Sequence, residues 1–134
     1  MAVITAEVRE TGEKVRIWAF ATAGKNGNPN VVPIGSQHFH SEDTVIVMDN
    51  HLSKTKKNIL ENPTVALTFW DMESRKSFQL KGSAVIETSG KIFDEEVMKY
   101  KARRPNSNPR GVVIIKIEEI YITEGGPDAG KRIA

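Results

Sequence analysis

From Ser77 to Glu87 the chain carries its clearest two-residue period, with Phe78, Leu80, Ala84 and Ile86 on one face. Such a strand buries one face and leaves the other free, so the sheet must curl around a core or be covered. Gly82 interrupts the pattern where a barrel strand would have to bend. Thr64 to Trp70 repeats the alternation, with Val65, Leu67 and Phe69 on one face. Thr44 to Met48 does not alternate; it is apolar throughout and predicts a strand buried on both sides.

The remaining segments complete a mostly β chain. Val15 to Thr22 is rich in aromatic and branched residues, and Asn26-Gly27 predicts a hairpin turn into a strand from Asn30 to Phe39. Pro33 and Gly35 interrupt that strand, marking an edge or a bulge where something can approach the backbone. A last strand begins at Val112, and its alternation slips at Glu118-Glu119, as a bulge requires. Short helices are expected over 3–12, ending at Gly12, from Ser53 to Asn62, and over 90–101. Asp71 to Lys76 reads as a polar connection, Arg103 to Gly111 as a mobile loop and the polar, glycine-rich 125–134 as a flexible tail. With 134 residues, one domain built as a small closed or nearly closed barrel fits about six strands better than a sandwich.

The helix after the all-apolar strand has its charges reversed. Its first turn holds Lys54, Lys56 and Lys57, and its acid, Glu61, lies near the C-terminus. A helix N-terminus is already positive and has unpaired N–H groups, so each such lysine costs about 0.3–1 kcal/mol at an exposed site. A bound phosphate reverses the sign, because the N–H groups, the Ser53 and Thr55 hydroxyls and a lysine would converge on it. A solvated basic turn is the plain alternative.

Other chemistry is sparse. The chain has no cysteine, which removes disulfides, thiolate catalysis and sulfur-ligated metals. His38 and His40 sit two apart at a strand end, but no acid stands at a familiar spacing to complete a set, so no metal site is expected. Phosphate-binding glycine loops, dinucleotide fingerprints and nucleophile elbows are missing, so any redox activity would rest on an organic cofactor. A net charge of +2 is low for a nucleic-acid binder. No apolar run has the length of a membrane span and no signal peptide is evident, so a cytoplasmic location is expected.

Val31-Val32-Pro33-Ile34, Thr44 to Met48, Ser53 through Leu67 and Gln79-Leu80-Lys81-Gly82-Ser83-Ala84 follow one another in an order that resembles the FMN-binding split-barrel family related to pyridoxamine 5'-phosphate oxidase. The resemblance runs from about Val15 to Ile122 and is most specific from Ser53 to Leu67. It implies a six-stranded Greek-key split barrel and a homodimer with FMN in a groove between subunits. It also implies that Ser53, Lys54 and Thr55 hold the phosphate, with Asn58 behind them. Val32, Pro33, Ile34 and Gly35 would lie along the flavin ring, and Met48 and Asp49 would border ring and ribityl chain. Ser77 and Gln79 would reach the cofactor from the partner chain. Lys54-Thr55 stands where the oxidases carry an Arg-Lys pair, and no tryptophan follows Trp70. The pattern therefore looks more like the small FMN-binding proteins and flavin reductases of this fold, acting on a small redox substrate. A deazaflavin in place of FMN and a flavin carrier without turnover are the near alternatives. A nucleic-acid-binding barrel using Lys54, Lys56, Lys57, Arg103, Arg104 and Arg110, with Trp18 or Trp70 for stacking, is the alternative from another class.

Overall fold

The computed structural model describes residues 1–134. In chain order the elements are α1 (Ala6–Lys14), β1 (Trp18–Ala23), β2 (Pro29–Ile34), β3 (His38–Phe39), β4 (Thr44–Asp49), α2 (Lys54–Glu61), β5 (Thr64–Trp70), β6 (Ser77–Glu87), α3 (Lys91–Arg103) and β7 (Gly111–Ile122). The strands form one antiparallel sheet in the order β2-β1-β5-β6-β7-β4-β3. It curls into a half-barrel, the split-barrel fold. The strand expected from Asn30 to Phe39 is two pieces, β2 at one sheet edge and the two-residue β3 at the other. Between them Ser36 bonds β4: its hydroxyl donates to the Met48 carbonyl at 3.3 Å and accepts from the Met48 N–H at 3.1 Å. One segment therefore spans the gap between the two sheet edges.

Two apolar layers explain which strands alternate. The larger cluster fills the concave side with Trp18, Phe20, Leu67, Phe69, Phe78 and Leu80 among others. The smaller one joins Ile46, Met48, Val112 and Ile114 to Tyr100 on α3, with Ile92, Phe93 and Val97 beside them. β4 lies between the layers, sending Val45 and Val47 into the first and Ile46 and Met48 into the second. All its residues are buried, as the unbroken apolar run requires. β5 and β6 touch only the first layer and keep the two-residue period.

The bend in β6 and the phase slip in β7 are one feature. Lys81 pairs with Glu119 and Gly82 with Ile117, leaving Glu118 as the extra residue of a bulge. A Cβ on Gly82 would stand 2.0 Å from the Lys116 carbonyl oxygen, a main-chain atom that cannot turn aside.

α1 differs from its expected span. Thr5 caps it by accepting from the Val8 N–H at 3.3 Å, so the helix begins at Ala6, and it runs past Gly12 to Lys14. The Trp18 indole N–H donates to the carbonyls of Gly12 and Val15 at 3.2 and 2.9 Å, satisfying the helix end that glycine was expected to terminate. Gly12 instead makes room for aromatics, since a Cβ there would lie 2.7 Å from the Phe39 ring. The tail folds back on β7: the Ile133 N–H donates to the Ile120 carbonyl at 2.8 Å, and Arg132 bridges Tyr121. No helix is long and apolar enough to cross a membrane.

Gly82→Ala must open the bulge and is expected to destabilise the protein by about 1–3 kcal/mol. Gly125→Ala, which meets nothing within 4 Å, should stay within about 0.5 kcal/mol of the parent. Urea unfolding of the two variants beside the parent checks both values.

Candidate functional site

β4 ends at Asp49, and the four residues after it turn the chain into α2. Asp49 is fully buried and organises that turn. Its Oδ1 accepts from the Leu52 N–H at 2.9 Å and from the Arg110 guanidinium at 3.1 Å. Arg110 also donates to the Leu52 carbonyl at 2.6 Å, and its own N–H bonds the Asp49 carbonyl at 2.8 Å. The end of the loop read as mobile is thus anchored under the turn.

The turn brings the α2 N-terminus to a groove of about 490 Å³, within the range of small-molecule sites. Ser53 occupies the N-cap position but makes no side-chain capping bond, so its hydroxyl is available together with the first N–H groups of the helix. Thr55 is buried beneath, its Oγ1 accepting from the Asn30 amide at 3.1 Å. That contact uses an oxygen lone pair and leaves the threonine proton free to donate. Asn30 also donates to Thr22 Oγ1 at 3.1 Å, and Asn58 does the same from the other side at 3.1 Å. Asn58 therefore steadies the floor of the terminus and does not line the groove.

Along the groove run Val32, Pro33, Ile34, Gly35 and Met48, with Ser53, Lys54 and Thr55 at one end. The family resemblance implies these eight residues together, and the structure gathers them along one groove. Asp49, Ser77 and Gln79 do not line it. Asp49 acts from behind the turn. Ser77 and Gln79 lie on β6 opposite Trp70 and Thr68 of β5, beside an exposed apolar surface made by Ile17, Val31 and Trp70.

The structure adds Arg16, Asn30, Asn50, Tyr100 and Arg104 to the walls. Tyr100 is held there because the Asn50 amide donates to its hydroxyl at 3.1 Å. Asn30 could have been found from its phase, since it shares a face of β2 with Val32 and Ile34. Nothing local marks Arg16, Tyr100 or Arg104. No carboxylate lines the groove, while Arg16, Lys54 and Arg104 do, so its field favours an anion. Of the residues expected for a nucleic-acid surface, Arg110 is engaged by Asp49, and Trp18 is buried with its ring against Phe39 and Phe69.

A second polar cluster was half visible in sequence. His38 and His40 meet Glu96 of α3, with His38 Nε2 and His40 Nδ1 each 3.2 Å from one of its carboxylate oxygens. The acid missing at short spacing comes from a distant helix. Burial holds the His38 imidazole below its usual pKa, outweighing the opposing pull of the Glu96 carboxylate.

A curled, split sheet with an anion-favouring groove along the split defines a protein of the split-barrel class. Residues 4–124 match the family model described as pyridoxamine 5'-phosphate oxidase, and the chain belongs to that family. An uncharacterised protein of Methanocaldococcus jannaschii is 42% identical over 85% of this chain and 77% of its own length. The crystal structure of HupZ from Group A Streptococcus is 27% identical, covers 95% of this chain and 99% of its own, and superposes with a TM-score of 0.81. An FMN-binding protein from Syntrophomonas wolfei shares the fold at 15% identity, over 88% of this chain and 84% of its own, with a TM-score of 0.75. An F420 reductase does so at 15% identity, over 78% of this chain and 87% of its own, with a TM-score of 0.61.

Removing the Asp49 carboxylate leaves the Leu52 N–H and the Arg110 guanidinium without their acceptor. Asp49→Ala is expected to cost about 1–3 kcal/mol and to speed amide hydrogen exchange across residues 50–55. Exchange that stays at the parent's rate in that segment would show that Asp49 does not hold the turn.

Proposed function

We propose that the chain binds FMN in this groove and works as an FMN-dependent oxidoreductase on a small substrate, as a homodimer. One observation carries the reading. The α2 N-terminus, with an uncapped Ser53 and with Lys54 beside it, opens into a groove that no carboxylate enters. The donor set fits a phosphate monoester: unpaired helix N–H groups, the Ser53 hydroxyl, the free proton of Thr55 and the Lys54 ammonium. The apolar stretch Val32 to Gly35 with Met48 fits a flat ring, and Pro33, lacking an N–H, leaves that strand edge without a donor there. Family membership and the shared fold of an FMN-binding protein point the same way.

When bound, the flavin supplies hydride and electron transfer, and the chain supplies position and field. Arg16 and Arg104 add positive charge near the ring-side walls, and Tyr100 offers a hydroxyl held by Asn50. The exposed patch of Ile17, Val31 and Trp70, residues 51%, 65% and 51% accessible, supports a second copy seated there. Ser77 and Gln79 border this patch, which suits them to reach the partner's flavin. A deazaflavin is the second reading, favoured by the F420 reductase that shares the fold.

Titration of the purified protein with FMN, followed by flavin fluorescence, tests the assignment. Lys54→Ala should weaken uptake by about 1.5–3 kcal/mol, the range for a hydrogen bond to a charged group, which is roughly 10- to 150-fold. Failure to take up FMN while binding a deazaflavin would move the assignment to the second reading, and failure with both would end it. Trp70→Glu should convert a dimer to a monomer in light scattering, and a wild-type monomer would remove the partner from the site.

A further inference from the structure

Glu96 is out of place by the ordinary rules of burial. It lies on the face of α3 that packs on β4 and β7, one turn before Tyr100 and among Phe93 and Val97. Its side chain is only 2% accessible, and carboxylates are rarely buried this deeply without full pairing. Its Oε1 has no hydrogen-bond partner. His40 Nδ1 stands 3.2 Å from that oxygen, yet the contact is not aligned as a hydrogen bond. A buried carboxylate with an unused oxygen, each of its two oxygens facing one imidazole nitrogen, is suited to share a further group with both rings.

We propose that His38, His40 and Glu96 form a binding site for a divalent first-row metal ion, Zn²⁺ foremost, with a fourth position open to solvent. Their ligating atoms all lie within 4.8 Å of one another. Atoms held tetrahedrally at about 2.0–2.1 Å from zinc lie about 3.3 Å apart; His38 Nε2 is 3.2 Å from Glu96 Oε2 and His40 Nδ1 3.2 Å from Oε1, so each nitrogen has a carboxylate oxygen at that spacing. Two imidazoles and one carboxylate form a ligand set that zinc uses where it keeps an open coordination position. The open side is real, because the two histidine side chains are 35% and 34% accessible.

The fold builds the site from both directions. His38 and His40 fall on one face because alternate residues of an extended segment do, and β3 fixes them by pairing His38 with Ile46 and Phe39 with Val45. Glu96 is fixed by the apolar side of α3 against β4 and β7. Nearby cations do not close the site. Lys99 Nζ is 3.9 Å from Glu96 Oε1, but its side chain is 67% accessible and free to turn outward. An ion here would fasten α3 to β3, one helical turn from Tyr100, which lines the main groove.

Titration with Co²⁺ reports coordination directly, through visible bands that are intense only when the ion is tetrahedral. The full chain should take up one Co²⁺, lose the bands when Zn²⁺ is added, and melt at a higher temperature with Zn²⁺ than with a chelator. Losing a ligand should weaken uptake by more than the roughly 10–100-fold that losing an outer partner costs. His40→Ala and Glu96→Gln should both show this, and His51→Ala should not. His40 is exposed enough that its variant decides the matter even if Glu96→Gln does not fold. No uptake, or weak uptake that His40→Ala leaves unchanged, overturns the proposal. Because no flavin enters the measurement, its outcome is independent of the FMN assignment.

Discussion

The pairing of β4 with β7 is the constraint on which the molecule turns. From the Val45–Ile115 pair to the Met48–Val112 pair neither strand has a solvent face: Val45, Val47, Val113 and Ile115 enter the concave core, and Ile46, Met48, Val112 and Ile114 meet α3. A strand so enclosed cannot slip by one residue without exchanging two apolar layers. Its end is therefore fixed in space, and Asp49, the residue at that end, is placed under the next turn by a register it does not control. Everything polar about the groove begins there, because the carboxylate holds Leu52 and Arg110 and so sets the direction in which α2 starts.

The groove results from two failures of the sheet to close. β2 and β3 belong to one stretch of chain but lie at opposite sheet edges, and only Ser36 stitches the gap to β4. The seam leaves Val32 to Gly35 facing open space instead of a neighbouring strand. At its end the helix dipole of α2 is unopposed by any acid in the first turn. The apolar wall and the positive end have separate structural causes, and they meet because β4 carries the chain from one to the other. Asn30, Thr22, Thr55 and Asn58 form the hydrogen-bonded floor beneath that meeting point.

Much of this was legible in the sequence because it is local. The period of β6, the unbroken apolar run of β4 and the reversed charges of α2 each follow from residues close in the chain, and so did most of the groove. Two local signs, Gly82 and the phase slip at Glu118-Glu119, proved to be the two sides of one bulge. Local rules misled where a distant group replaced the expected one. Gly12 did not end α1 because the Trp18 indole satisfied the helix carbonyls, and the strand from Asn30 broke in two because its halves found partners at different edges.

What the residues determined unaided was the kind of sheet, the strand buried on both faces and a helix whose first turn is basic, since period and charge order are properties of neighbours in sequence. Tertiary structure alone decided which side chains share a site. It carried Arg16 and Arg104 to the groove, turned Asp49 from a wall residue into a support, and brought Glu96 to His38 and His40. Those meetings depend on how a curled sheet and a packed helix bring remote segments together, and no spacing along the chain encodes that distance.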